Sequence, residues 1–258
     1  MLQEARLHRI KALLSSQGEV STERLVRDLL VSRETIRRDL QELEAEGALR
    51  RVHGGGVAPD AGSTEAPLAV RQASRAREKK AIARAAVRLL APGQTLLIDA
   101  GTTTAQLAEE LTALAGLTVI TNGLDVARTL NKDERFRRSN EVILLGGRLL
   151  TEVPATAGDL TIAEIQRYSA DVALLSPVGI CAPHGASSYE RSEAEVARAM
   201  VASARRCVIL ADHSKVGQRS RIAYAGLSAI DTIVTDAGAR QRAGTHALQK
   251  AGCRIVFA

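Results

Sequence analysis

Two stretches of the chain carry residue types at a spacing that could do chemistry. The first is Asp99-Ala100-Gly101-Thr102-Thr103-Thr104, which follows the apolar run TLLI and precedes the helical pattern AQLAEELTAL. A glycine there lets backbone approach an anion closely, the threonines add hydroxyl donors, and a helix start presents free N–H groups with a favourable dipole. Phosphate binding is the chemistry this combination supports. Taken alone, the spacing equally fits a capped βα turn with no ligand. Two more apolar runs end in small and polar residues, Thr121-Asn122-Gly123 and Gly146-Gly147-Arg148, and three such ends suggest a shared crevice. Ligands of open α/β sheets bind at the carboxyl ends of strands, where all three fall.

The second stretch is Ser32 to Gln41. With Ile36 and Leu40 turned to a core, helical geometry puts Glu34, Arg37, Arg38 and Gln41 on the far side, flanked by Arg33. One dry face and one face of long hydrogen-bonding side chains, after a short helix and a tight turn, is what helix-turn-helix docking in a major groove requires. Arg can bond guanine O6 and N7 together, while Ser32, Thr35 and the helix start can hold phosphate. An ordinary charged surface helix fits the same pattern.

Other chemistries lack support. There is no GxGxxG fingerprint, no GxxxxGKS or GxxxxGKT loop and no GxSxG elbow, so no nucleotide cofactor and no serine nucleophile is predicted. Cys181 and His184 have a C-x-x-H spacing without a second ligand pair, so no metal site is predicted either. The three cysteines, Cys181, Cys207 and Cys253, are odd in number and scattered, which argues against a disulfide framework and agrees with a reducing compartment. No aromatic residue precedes Phe136, which excludes single-strand binding by base stacking from the N-terminal half.

The elements that must position these residues can be read from periodicity. Leu7, Ile10, Leu13 and Leu14 predict a first helix ended by Gly18. Ser21 caps a short second helix with Leu25, Val26 and Leu29 on its buried stripe, and Ser32 caps a third that runs through Glu46 to a stop at Gly47. LRRVHGGG then reads as a small hairpin or wing. From Val57 to Ser74 the chain holds Pro59, Gly62, Ser63, Thr64 and Pro67 without sustained periodicity, which predicts a linker. Beyond it, apolar runs at 95–99, 117–121, 141–146, 171–177, 206–212, 231–236 and 253–258 alternate with helical segments, the pattern of a largely parallel α/β sheet covered on both faces.

The 258 residues suit two domains, and 45% apolar with 25% charged residues is globular composition. No apolar run reaches the roughly 18 residues of a membrane span, and charges interrupt the start of the chain, so a cytoplasmic protein without membrane partners is expected. Net charge is +6, but its distribution is uneven: residues 1–70 hold 10 Lys/Arg against 11 Asp/Glu, residues 71–90 hold 7 against 1, and the remainder 18 against 17. The excess in 71–90 fits a solvated helix face as well as a phosphate-binding stripe. Any contact of the N-terminal segment with DNA must come from local geometry, because that segment has no net positive charge.

STERLVRDLLVSRETIRRDLQELEAEGALRRVHGGG resembles the winged helix-turn-helix of the DeoR family of bacterial transcriptional regulators, through Val31-Ser32, Thr35 to Leu40, Leu43, Gly47 and Arg51-Val52-His53-Gly54-Gly55. The resemblance implies that Arg37 and Arg38 meet DNA and that Arg50, Arg51 and His53 belong to the wing. Leu30 departs from it, standing where such turns more often carry a small or polar residue. Further on, EKKAIA, IDAGTTT, ITNGLDVA, LLGG, DVALLSPVGI, SEAEVARAM, LADHSKVG and VTD resemble the successive motifs of that family's sensor domain, which is similar in fold to ribose 5-phosphate isomerase and responds to phosphorylated sugars. The resemblance implies that Asp99, Gly101, Thr102 and Thr103 form a phosphate end with Thr121 and Asn122. It also implies that Gly146 and Gly147 line the cleft and that Glu193, Asp212 and Lys215 face the sugar. Two departures, Ser176-Pro177 in place of a glycine and Ala197 in place of a lysine, bear on the ligand rather than the fold. Taken singly, Glu193 and Glu195 equally fit solvated helix charges, and Lys215 a surface lysine.

The expected architecture is α/β: a winged helix-turn-helix over 1–56, a linker over 57–74 and an effector-binding sensor domain over 75–258. The expected function is regulation of transcription on double-stranded operator DNA, as repressor of a carbohydrate-metabolism operon, by a homodimer or homotetramer under a phosphorylated sugar. No catalytic residue is assigned. The alternative is a sugar-phosphate isomerase activity in the C-terminal domain, with Glu193 or Asp212 as base and Lys215 as electrostatic partner.

Overall fold

The computed structural model describes residues 2–17, 19–46, 48–52, 54–57 and 68–258, so Met1, Gly18, Gly47, His53 and 58–67 lie outside the described residues. The chain divides into two compact units, Met1–Ser74 and Arg75–Ala258. In the first, α1 (Gln3–Gln17), β1 (Glu19–Ser21), α2 (Thr22–Leu29), α3 (Arg33–Ala45), β2 (Arg50–Val52) and β3 (Gly55–Val57) are followed by α4 (Leu68–Ala73). Ser21 and Ser32 cap α2 and α3 by accepting from the amides of Arg24 (3.3 Å) and Thr35 (3.1 Å). The apolar stripes of the three helices meet in one core, in which Ile10, Leu14, Leu25, Leu29, Ile36, Leu40 and Leu43 are buried. Burial of each such side chain contributes about 1.5–3 kcal/mol.

Two features of this unit depart from the sequence reading. Glu19–Ser21, too short to show alternation, is a strand that pairs antiparallel with β3, giving a three-stranded sheet in the order β1-β3-β2. The close approach requires glycine at Gly55, where a Cβ would overlap the carbonyl oxygen of Val20. The composition predicts a linker over 57–74, yet Leu68–Ala73 is helical and lies against α1. LAVRQA consists largely of good helix formers, but six residues are too few for a 3.6-residue period to show.

The second unit contains α5 (Ala76–Val87), β4 (Thr95–Ile98), α6 (Thr102–Leu111), β5 (Thr118–Thr121), α7 (Leu124–Lys132), α8 (Glu134–Ser139), β6 (Glu141–Leu144), β7 (Arg148–Leu149), β8 (Thr156–Ala157), α9 (Asp159–Ile165) and β9 (Ala170–Leu175). It continues through β10 (Gly179–Cys181), β11 (Gly185–Ser188), α10 (Arg191–Ala202), β12 (Ala204–Leu210), β13 (Ile222–Ala225), β14 (Thr232–Thr235), α11 (Ala243–Lys250) and β15 (Ile255–Phe257). The seven apolar runs of the sequence supply the seven strands of one sheet, ordered β15-β14-β12-β9-β4-β5-β6, and every neighbouring pair is parallel. The pleat sends Leu96, Ile98, Val172, Leu174, Val208 and Leu210 to a core shared with α5, α6 and α7. It sends Leu97, Ala173, Leu175, Cys207 and Ile209 to a second core shared with α10 and a small antiparallel sheet, β10-β11-β13. Both faces are covered, hence the unbroken apolar runs.

Chain order fixes where a site can form. The sheet is built outward from β4 through β5 to β6, after which the chain returns to lay β9 on the other side of β4 and continues outward through β12, β14 and β15. The strand order therefore reverses between β4 and β9, and a crevice is expected beyond their carboxyl ends.

Candidate functional site

Asp99 follows β4 and Ser176 follows β9, so they face each other across the switch point; the Ser176 amide donates to Asp99 Oδ2 at 2.7 Å. Gly101 is the N-cap of α6, and a Cβ there would stand 2.9 Å from that of Ser176. Thr104 closes the turn from within: its Oγ1 accepts from the Gly101 amide (2.7 Å) and donates to the carbonyl of Asp99 (3.0 Å). The amides of Thr102 and Thr103 are the open donors of this helix start, as the first turn of any helix leaves them. Thr103 Oγ1 is sealed from solvent without a partner among the described residues, as are Asp99 Oδ1 and Asn122 Oδ1.

Beside β4, Thr121 is fully buried, donating to the carbonyl of Ile98 (2.7 Å) and accepting from the Gly123 amide (3.0 Å). Its hydroxyl thus ties the ends of β4 and β5 together. Asn122 donates to the carbonyl of Thr156 at 2.8 Å. Gly146 and Gly147 are packed against α9: the Gly146 amide donates to Glu164 (2.7 Å), its carbonyl accepts from Thr161 (2.7 Å), and a Cβ on Gly147 would strike Thr161. These bonds give the glycine pair a structural use that its sequence does not reveal.

The far wall is charged. Lys215 Nζ donates to Ser176 Oγ at 3.3 Å, and its charge acts on both Asp99 and Asp212. Asp212 is buried and accepts from the Ser214 amide (2.9 Å), with Arg75 Nε at 3.4 Å. Burial opposes its ionisation, but Lys215, the Ser214 bonds and Arg75 together hold the carboxyl below its ordinary value. Asp99 goes the other way: burial pushes its carboxyl up to about 7, against the pull of the Ser176 and Thr104 bonds and Lys215. Glu193, in the first turn of α10, accepts from Ser188 Oγ at 2.9 Å and adds its negative charge to the field at Asp99. Arg75 also contacts His213 Nε2 (3.1 Å), whose Nδ1 meets Asp236 (2.8 Å).

Sequence reasoning missed Ser176 as a contact residue, took Thr104 for a ligand donor where its hydroxyl closes the turn, and missed Arg75, His213, Asp236 and Ser188 altogether. The signal available was weak: Thr104 is the third threonine of a run already singled out, and His213 lies between Asp212 and Lys215. Ser176 and Asp236 lie in DVALLSPVGI and VTD, runs that carry the family resemblance without marking these residues, and Arg75 and Ser188 come from segments with no site pattern. The basic run 71–90 is largely α5, with Lys79 buried and Arg84 (3.2 Å) and Lys80 (3.9 Å) on Glu110.

In the first unit, α3 presents Arg33, Arg37, Arg38 and Gln41 outward while Ile36, Leu40 and Leu43 are buried. Arg33 pairs with Glu23 (2.6 Å), and Glu34 is shared by Arg37 (3.9 Å) and Arg38 (3.6 Å). Such exposed pairs hold side chains weakly and can be exchanged for phosphate or base contacts. The inner face carries one charge, Asp39, buried and gripped by Arg6 Nε (2.8 Å) and Nη2 (3.0 Å), which pins α1 to α3. Thr35 is half-buried, its Oγ1 at 2.8 Å from Ser32 Oγ. In the wing, the Arg51 amide donates to Glu44 at 2.9 Å; Arg50 lies in β2, and His53 lies outside the described residues. Among the described residues no His/Cys/Asp/Glu group could hold a metal, and no helix is long and apolar enough to cross a membrane.

Family comparison matches residues 6–61 to the DeoR-like helix-turn-helix domain and residues 74–237 to the DeoR C terminal sensor domain. The chain is 35% identical over 237 residues to the glycerol-3-phosphate regulon repressor of Escherichia coli, covering 92% of each chain. It is 36% identical over 236 residues to the transcriptional repressor GlcR of Bacillus subtilis, covering 92% of this chain and 89% of that one. With the regulator GlpR of Haloferax volcanii it shares 34% over 256 residues, 99% and 98% of the two chains. Among solved structures, ribose 5-phosphate isomerase A of Methanocaldococcus jannaschii aligns at a TM-score of 0.39 and 16% identity over 55% of each chain.

Proposed function

The chain belongs to the DeoR family of transcriptional regulators, and from that premise we propose that its second unit binds a phosphorylated sugar or polyol in the switch-point crevice and thereby changes operator affinity. One observation carries the reading: the open amides at the start of α6 lie at the switch point, where Lys215 reaches Ser176 and Asp99, Glu193 and Asp212 supply acceptors for hydroxyl groups. A helix start with open amides favours an anion, and carboxylates favour the polyol that bears it. The name of the Escherichia coli relative, a glycerol-3-phosphate regulon repressor, makes a three-carbon polyol phosphate the first ligand to try, with a sugar phosphate beside it. The protein acts in the cytoplasm as a repressor without catalytic activity, bound to duplex DNA as a homodimer or homotetramer whose paired recognition helices read two half-sites.

The test is calorimetric titration with glycerol 3-phosphate, glucose 6-phosphate and their dephosphorylated forms, with operator binding followed by anisotropy with and without each. Binding that needs the phosphate and shifts operator affinity is the expected result. Sedimentation at micromolar concentration reads the assembly, and a monomer would remove the paired half-site model. The isomerase alternative retains one specific observation: a carboxyl raised to about 7, that of Asp99, has the proton affinity of a general base. Asp212, held low, is a poor base. An aldose–ketose conversion assay on the same preparations decides; turnover lost in Lys215→Ala would replace the sensor reading with an enzyme.

A further inference from the structure

Ser176 stands between two charges that would otherwise meet. Its amide donates to Asp99 Oδ2 at 2.7 Å and its Oγ accepts from Lys215 Nζ at 3.3 Å. The Lys215 ammonium acts electrostatically on Asp99 and Asp212, yet its hydrogen bond is to a neutral hydroxyl. An ammonium in a partly desolvated crevice gains more from a carboxylate contact than from a hydroxyl, because charge-assisted bonds are the stronger class. Ser176 is packed close to Gly101 across the switch point, where a Cβ added to the glycine would stand 2.9 Å from that of Ser176. An ammonium held on the hydroxyl keeps its positive charge available to an incoming anion; one closed onto Asp99 does not.

We propose that Ser176 is a positioning residue for effector binding, its hydroxyl holding the Lys215 ammonium in the crevice and keeping it from closing onto the Asp99 carboxylate. The proposal rests on the effector reading of the crevice, but its physical core concerns the ligand-free protein. Loss of the hydroxyl releases Lys215 to pair directly with Asp99, which cancels the charge meant for the ligand and favours the ionised carboxylate. The groups that face Asp99 are Lys215, the Ser176 amide, Thr104 from α6, Glu193 from α10, Tyr224 from β13 and Cys207 from β12. Burial raises the Tyr224 and Cys207 side chains, so both stay neutral through the physiological range, and Lys215 is the cationic group among those facing Asp99 that can move onto it.

The experiment follows the Asp99 carboxyl by carbon NMR against pH in the full-length protein without ligand, as wild type, Ser176→Ala, Ser176→Thr and the double variant Ser176→Ala with Lys215→Met. Wild type should titrate at about 7. Ser176→Ala should fall by about one or more, a tenfold or greater change in proton affinity. Ser176→Thr, which keeps the hydroxyl, should stay with wild type, and the double variant should show no fall, because the lysine that causes it is gone. In parallel, calorimetry with glycerol 3-phosphate and glucose 6-phosphate should give roughly tenfold weaker binding in Ser176→Ala and near wild-type binding in Ser176→Thr, a change of about 1.4 kcal/mol. An unmoved Asp99 titration in Ser176→Ala, or a fall that persists in the double variant, overturns the proposal whatever the ligands do. The expected titrations with neither ligand bound by wild type would count against the effector reading and leave the positioning of Lys215 standing.

Discussion

Helix α3 and the switch-point crevice handle charge in opposite ways. On α3 the arginines lie outside a dry stripe, more than half exposed (63% for Arg37, 76% for Arg38), and their shared acidic partner, Glu34, lies one turn away. In the crevice the carboxyls of Asp99 and Asp212 are withdrawn from water and held by amides, a lysine and an arginine from distant segments. The first surface is cheap in stability and easily given to a polyanion. At Asp99 the second is built against stability: a carboxyl with a raised proton affinity marks a site the fold would prefer neutral.

The sharpest way to break that contrast is Asp99→Asn, where the largest effect is expected. The folded carboxyl, raised to about 7, keeps a proton that the unfolded chain, near 3.8, has lost, so this group costs stability progressively between those values and fully above them. The amide keeps an acceptor for the Ser176 N–H and removes that cost. Thermal unfolding at pH 8 should show the second unit stabilised by up to about 4 kcal/mol, with no difference at pH 4. Equal melting at both values would mean that the crevice stores no such strain. Asp212 runs the other way, since its lowered carboxyl stabilises above the unfolded value and loses that contribution as pH falls through the folded one.

The same contrast governs what could be read from sequence. The α3 face is local: a 3.6-residue period, a serine cap and the residue types between them suffice, so Arg33, Arg37, Arg38 and Gln41 fall where periodicity puts them. The seven sheet strands were equally legible, because burial on both faces leaves unbroken apolar runs. The crevice is not local. Asp99 and Ser176 are 77 positions apart, joined only because the strand order reverses between β4 and β9, and no pattern along the chain encodes that. Thr121 and Gly146 add a converse point, since polar groups in a ligand-like sequence also make bonds within the fold. The small sheet β10-β11-β13 escaped notice because Gly-Ala-Ser-Ser has no apolar alternation to find.

A second test puts a charge where the crevice should tolerate none. Thr102→Asp places a carboxylate at the helix start proposed to hold the phosphate, and more than about a hundredfold loss of ligand affinity, some 2.7 kcal/mol, is expected with the fold retained. The variant should still bind operator but no longer respond to the ligand. Unchanged affinity in calorimetry would place the anion elsewhere.

On the other surface, Arg37→Ala and Arg38→Ala should leave unfolding unchanged within about 0.5 kcal/mol, since their exposed pairs with Glu34 are weak. Operator affinity should nevertheless fall by about 1–3 kcal/mol for whichever arginine reads a base, with relaxed preference at that pair. If only phosphate is touched, the loss should be the same on all sequences and the salt slope should diminish. Full affinity in the double variant would remove α3 as the recognition helix.

The smallest effect is expected at Leu30, where the first unit does store strain. Leu30 ends α2 in the left-handed region, at φ 53° and ψ 44°, and is 88% exposed. A β-carbon in that region costs about 1–2 kcal/mol, and an exposed leucine recovers nothing by packing. Asn tolerates the conformation and, unlike Gly, does not add freedom to the unfolded chain, so Leu30→Asn should stabilise the unit by about 0.5–1 kcal/mol. A turn that merely links α2 to α3 predicts that gain with operator affinity unchanged. If chemical denaturation shows the gain while operator affinity falls, the leucine is retained for contact with DNA, and the division between a strain-free surface and a strained crevice must be redrawn. No gain at all would mean that the turn relaxes without cost, leaving the crevice as the strained region of the pair.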